Sequence, residues 1–67
     1  MDSVFPELER EMAKRGREYR GLAKVAGTSD MQMYRRLRGI SRWQLHEVLC
    51  ISDFFSHTDI NTLFARR

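Results

Sequence analysis

The sequence predicts an all-α fold, a compact bundle of five helices in a single domain covering residues 1–67. Three observations point there. Apolar residues recur at spacings of three and four through most of the chain, the helical period. Gly16, Gly27 and Gly39 follow one another at intervals of 11 and 12, each closing a helix-like stretch as a C-terminal glycine does. Two serine-to-glutamine spacings, Ser29 with Gln32 and Ser41 with Gln44, read as capping boxes that open helices.

The first helix is expected over about 4–15. Phe5, Leu8 and Met12 form one apolar stripe, Pro6 falls in the first turn where its missing N–H costs nothing, and Glu7, Glu9 and Glu11 lie toward the positive end. The second spans about 18–26, with Leu22, Ala23, Val25 and Ala26 as its inner face, despite Gly21 at a cost of about 1 kcal/mol relative to alanine. The third, about 30–38, begins at the Ser29 cap and turns Met33 and Leu37 inward.

The fourth helix is expected to start at the Ser41 cap, with Ile40 closing over Leu45 as a hydrophobic staple. Leu45, Val48, Leu49 and Phe55 would share its inner side. Asp59 then caps a last short helix carrying Ile60, Leu63 and Phe64.

Sixty-seven residues and 8.0 kDa leave room for one domain. A chain this short hides only about 60% of its unfolded surface, so a deep substrate cavity would compete with the core for side chains. Catalysis is therefore not expected: no carboxylate pair, glycine-rich phosphate loop or nucleophile motif is present. The single cysteine, Cys50, excludes an internal disulfide and fits a reducing, cytoplasmic setting. Flanked by Val48, Leu49 and Ile51, Cys50 reads as a small buried side chain. His46, His57 and Cys50 do not have zinc-site spacing, and neither metal nor cofactor is expected. The longest uncharged run is six residues, against about 20 for a membrane span, and the start lacks a basic leader region. No membrane partner is expected.

Charge is unevenly placed. Lys14 to Arg42 carries nine positive residues against Glu18 and Asp30, a net of +7, flanked by segments of −3 and −1. A basic middle favours a polyanion such as nucleic acid, and a solvated face without a partner is the alternative.

Residues 18–26 and 30–38 are joined by Gly27-Thr28-Ser29, a short glycine-containing connection of the kind found in DNA-binding helix pairs. Ala23 is small enough to let the second of these helices cross the first closely. Leu22, Ala26, Met33 and Leu37 would bury the seam.

With these residues in place, the chain resembles the phage repressor and Cro (XRE-like) family of helix-turn-helix proteins. The resemblance runs through Glu-Met-Ala-Lys-Arg-Gly (11–16), Leu-Ala-Lys (22–24), Gly-Thr-Ser (27–29), Arg-Arg-Leu-Arg-Gly (35–39) and Asp-Phe-Phe (53–55). It implies a helix-turn-helix over about 18–38 and a third helix in the major groove of double-stranded DNA, typically as a homodimer. It also implies transcription regulation by a small repressor-like protein of phage or bacteria. The base-contact positions it implies are Ser29, Asp30, Met31, Gln32, Tyr34, Arg35 and Arg38. The phosphate contacts would be Tyr19, Arg20, Arg35, Arg38 and Arg42, with Tyr19 standing where the family commonly has glutamine and Thr28 where it has an apolar turn residue. By its chemistry Gln32 suits an adenine edge, Arg35 or Arg38 guanine or phosphate, Met31 a thymine methyl group, and Asp30 a cytosine amino group.

Other readings stand beside these. Arg36 falls on the inner side near Met33, where its stem can cover the core. Tyr34 either stacks at an interface or packs over the helix end, and Trp43 reads as a packing residue. Arg42 can approach a phosphate together with the start of the fourth helix. Phe54, Phe55, Ile60, Leu63 and Phe64 form either a dimer seam or the closure of the monomer core. A protein-binding module on the same scaffold, such as a phage-encoded inhibitor, is the rival function, motivated by Asp30, Met31 and Met33.

Overall fold

Five helices follow in the order α1 (Pro6–Lys14), α2 (Tyr19–Ala26), α3 (Asp30–Leu37), α4 (Leu45–Phe54) and α5 (Ile60–Leu63). The computed structural model describes residues 3–56 and 59–67, and no strand occurs among them. The all-α, five-helix expectation is thus met. His57 lies outside the described residues.

Pro6 occupies the first turn of α1, and Ser3 Oγ, itself buried, accepts a hydrogen bond from Phe5 N at 3.0 Å just before it. Phe5, Leu8 and Met12 are buried, as their spacing requires. α2 ends where Gly27 turns left-handed at φ 69°, ψ 35°. Thr28 N then donates to Ala23 O at 3.0 Å and Gly27 N to Lys24 O at 3.3 Å, the paired bonds that satisfy the last carbonyls of a helix. A β-carbon in this conformation is penalised, which is why glycine stands here. α3 closes in the same way: Gly39 has φ 77°, and Ile40 N donates to Arg35 O at 2.9 Å.

Ser29 caps α3, its Oγ accepting from Gln32 N at 3.1 Å. The return half of the expected box is replaced, because the Gln32 side-chain oxygen accepts from Arg36 instead.

α4 departs most from expectation. It begins at Leu45, with Gln44 rather than Ser41 as its cap, and Glu47 Oε1 reaches back to accept from Gln44 N at 2.9 Å. The Ile40–Leu45 staple does not form: the two residues are 71% and 73% exposed. Residues 41–44 instead run as a loop that carries Trp43 to Phe5 and Phe64, with ring centroids 5.6 and 5.0 Å apart. Burying part of an indole against two rings removes more apolar surface from water than the small staple would.

The face of α4 is shifted as well. Glu47, Ile51 and Ser52 point inward, followed by buried Phe55, whereas Leu45, Leu49 and Cys50 are exposed and Val48 is half-buried. The expected inner side through Leu45, Val48 and Leu49 is therefore corrected, and so is a buried Cys50. Six of the ten α4 residues are apolar and spread around the helix, so their period does not choose a face. The buried Glu47 does, as described below.

The core runs from Phe5, Leu8 and Met12 through Leu22, Met33 and Leu37 to Ile51, Phe55 and Leu63. The C-terminus returns to the beginning of the chain: Arg67 N donates to Val4 O at 2.8 Å and Arg67 Nε to Ser3 O at 3.1 Å. A Cα radius of gyration of 10.4 Å is close to the roughly 11 Å expected of a folded chain of this length.

The sequence leaves Phe54, Phe55, Ile60, Leu63 and Phe64 open to two uses, a dimer seam or closure of the monomer core, and this packing shows them contributing to the closure. Phe55 and Leu63 are core residues, Phe54 and Phe64 are packed partly buried against that core, and of the five only Ile60 is exposed. A bundle of this size needs these rings to seal its own end.

Candidate nucleic-acid interface

Leu22, Ala23 and Ala26 of α2 and Met33 and Leu37 of α3 are all buried, so the predicted seam between the two helices is present. With Met33, Arg36 and Leu37 turned inward, the helical period of 100° per residue places Met31, Arg35 and Arg38 at the centre of the opposite face. All three are exposed, Met31 at 59%.

The beginnings of α2 and α3 frame an open groove of about 410 Å³ lined by Tyr19, Arg20, Asp30, Met31 and Tyr34. Tyr19 and Tyr34 meet edge to face with centroids 5.6 Å apart, tying the two helices together on their outer side. Each tyrosine carries an arginine: Arg20 lies 5.7 Å from the Tyr19 centroid, and Arg38 lies 5.7 Å from that of Tyr34. Arg38 Nη1 also donates to the Tyr34 hydroxyl at 3.0 Å, which leaves the phenolic proton free to donate outward. Hydrogen bonding to Tyr19, and then the charge of Asp30, hold the exposed Arg20 guanidinium above its already high ordinary range. It stays a cation at every relevant pH.

The structure brings most, but not all, of the expected residues together. Tyr19, Arg20, Asp30, Met31 and Tyr34 share the groove, and Arg38 joins it through Tyr34. Arg35 is exposed on the same outer face of α3, and no ion pair or hydrogen bond engages its guanidinium among the described residues. Ser29 spends its oxygen on the cap. Gln32 is exposed, but its side-chain oxygen is engaged by Arg36 at 2.6 Å.

Arg42 is the exception. Because α4 starts at Leu45, Arg42 does not sit at a helix start, and it lines a separate hollow with Gly39, Trp43, Phe64 and Arg66. The expected pairing of Arg42 with the fourth helix is corrected accordingly.

The basic middle of the chain is also divided among several faces. Lys14 pairs with Glu11 at 3.3 Å, Arg15 and Arg17 lie over Phe54, and Arg36 is buried against Glu47. Arg20, Arg35 and Arg38 lie on the α2–α3 face with Asp30 among them, and Lys24 is exposed on α2. The inward position of Arg36 follows from its spacing in the sequence, whereas its partner Glu47 does not. The available signal was that a cation set between Met33 and Leu37 needs a buried anion, and Glu47 opens the next helix.

Among the described residues no three His, Cys, Asp or Glu side chains converge as metal ligands, and no helix is long and apolar enough to cross a membrane. No protein-family model, characterised protein or solved structure matches the chain.

Proposed function

We propose that this chain is a helix-turn-helix domain that reads double-stranded DNA with α3 in the major groove, and that it works as a small phage or bacterial transcriptional regulator. The carrying observation is the two-sided character of α3. One side is buried against α2 across the Gly27 turn, and the other presents Met31, Arg35 and Arg38 beside the Tyr19–Tyr34 pair. An α-helix fits the major groove, and its first turns are the part that meets base edges in this kind of docking.

In this reading Asp30, Met31 and Gln32 face bases. Tyr19, Arg20, Tyr34, Arg35 and Arg38 hold phosphates, the arginines by charge and the tyrosines through their hydroxyls. Arg42 stands apart and is not included. No catalytic step, metal or cofactor is part of the proposal.

A second reading, a protein-binding module, is favoured by one observation, the 59% exposure of Met31 beside Asp30. Salt separates the two. Fluorescence anisotropy of a labelled random-sequence duplex, titrated at several salt concentrations, should show log affinity falling with log salt at a slope of about −3 for three arginine–phosphate contacts. No binding at low salt, or binding indifferent to salt, would overturn the DNA reading.

A further inference from the structure

The sequence alone suggests that Gln32 pairs with adenine, which requires its oxygen to accept from N6 while its amino group donates to N7. In the structure that oxygen is taken. Gln32 Oε1 accepts from Arg36 Nη1 at 2.6 Å, and the same Nη1 lies 3.3 Å from the Gln32 carbonyl oxygen. Arginine has donors only, so the oxygen of the carboxamide must face Arg36 and its amino group must face away.

Arg36 is not free to release it. Its Nε donates to Glu47 Oε1 at 2.6 Å, with both side chains almost wholly excluded from water. Glu47 Oε1 is held in turn by Gln44 N at 2.9 Å. Turning Arg36 outward would leave the Glu47 carboxylate buried without its counter-charge, a strongly unfavourable state. The orientation of an exposed side chain on α3 is thus set from inside the bundle, by a residue on α4.

Resting on the DNA reading above, we infer that Gln32 reads guanine rather than adenine, as a donor, with Arg36 as the positioning residue that fixes this choice. Guanine presents N7 and O6, two acceptors, on its major-groove edge. Adenine sets an amino donor beside N7, which opposes a group that offers only N–H.

Selection from a randomised duplex pool, followed by sequencing, tests this with the wild-type chain and three variants. The Gln32 contact is the position whose base preference Gln32→Ala erases. There the wild-type chain should take guanine over adenine by about fivefold or more. Gln32→Lys, which also offers donors only and changes an exposed residue, should keep guanine. The double variant Arg36→Met/Glu47→Gln removes the buried charges together, keeps an acceptor for Gln44 N and frees the Gln32 oxygen. Its preference at that position should move to adenine.

Adenine preferred by the wild-type chain, or a shift from adenine to guanine on Gln32→Lys, would overturn the inference. So would a position-specific preference that survives Gln32→Ala everywhere, or guanine retained by a folded double variant. Should the double variant not fold, the wild-type and Gln32→Lys preferences decide the question alone. Failure of the wild-type chain to bind any duplex would remove the DNA reading itself and this inference with it.

Discussion

Arg36 Nε stands 2.6 Å from Glu47 Oε1, with the two side chains 6% and 2% exposed, and this ion pair joins α3 to α4. It accounts for the phase of α4. Glu47 has to face Arg36, so Ile51, one turn on, faces the core, and Leu45 and Leu49 face outward. It is also the link between the packing of α4 and the exposed Gln32.

Breaking this pair from one side should be severe. Arg36→Met or Glu47→Leu alone leaves a buried charge unpaired and should cost about 3–5 kcal/mol. A 67-residue domain has roughly 3–10 kcal/mol in total, so either variant should lose about a third or more of its stability, read as a lowered urea midpoint by circular dichroism. Arg36→Met/Glu47→Gln should recover much of the loss. Single variants that unfold in urea within about 1 kcal/mol of the wild type would contradict the buried pair.

Gly21 should behave unlike the glycines that end helices. It lies inside α2 without a positive φ, and an added β-carbon would meet Arg17 Cδ at an ordinary 3.5 Å. Gly21→Ala is expected to stabilise by about 0.5–1 kcal/mol through helix propensity and a less disordered unfolded chain. The melting temperature should rise by about 2–8 °C, as thermal denaturation will show. Gly27→Ala, at φ 69°, should lower it.

The reassigned face of α4 makes opposite forecasts for neighbouring apolar residues. Leu49 is 50% exposed, and Leu49→Lys should change stability by no more than about 0.5 kcal/mol. Ile51 is fully buried, and Ile51→Ala should cost about 2–5 kcal/mol. Urea midpoints of the two variants would expose an error in the phase at once, because the larger loss would then fall at Leu49.

Charge on the outer face of α3 should count for DNA where equal charge elsewhere does not. Arg35→Ala should weaken binding to random-sequence duplex and flatten the salt slope by about 1. Arg10→Ala removes the same charge from α1, where Arg10 pairs with Glu7 at 3.4 Å, and should leave the slope unchanged. Equal effects would mean that net charge, not the α2–α3 face, governs binding.

Much of this architecture is legible in the sequence because its punctuation is local. Gly16, Gly27 and Gly39 each take the positive φ that helix ends favour, and Ser29 caps α3 through a bond to a residue three positions on. The inward set of α3, Met33 and Leu37, follows from spacing alone. α4 was harder, since Leu45, Val48, Leu49, Cys50, Ile51 and Phe54 leave no clear polar stripe. Its start and its phase depend on Glu47 meeting Arg36 eleven residues earlier and on Trp43 meeting Phe5 and Phe64. Those are tertiary contacts without a local signature. Gln32 shows the same limit at the candidate site: its position was evident, and the occupation of its oxygen was not.

The most direct test of the DNA reading is to follow the backbone amides of the isotopically labelled protein by nuclear magnetic resonance while a short duplex is added. The account predicts shifts concentrated at Tyr19 and Arg20 and along Ser29 to Arg38. Shifts centred instead on the exposed Leu45 and Leu49 of α4, or none at low salt, would contradict it.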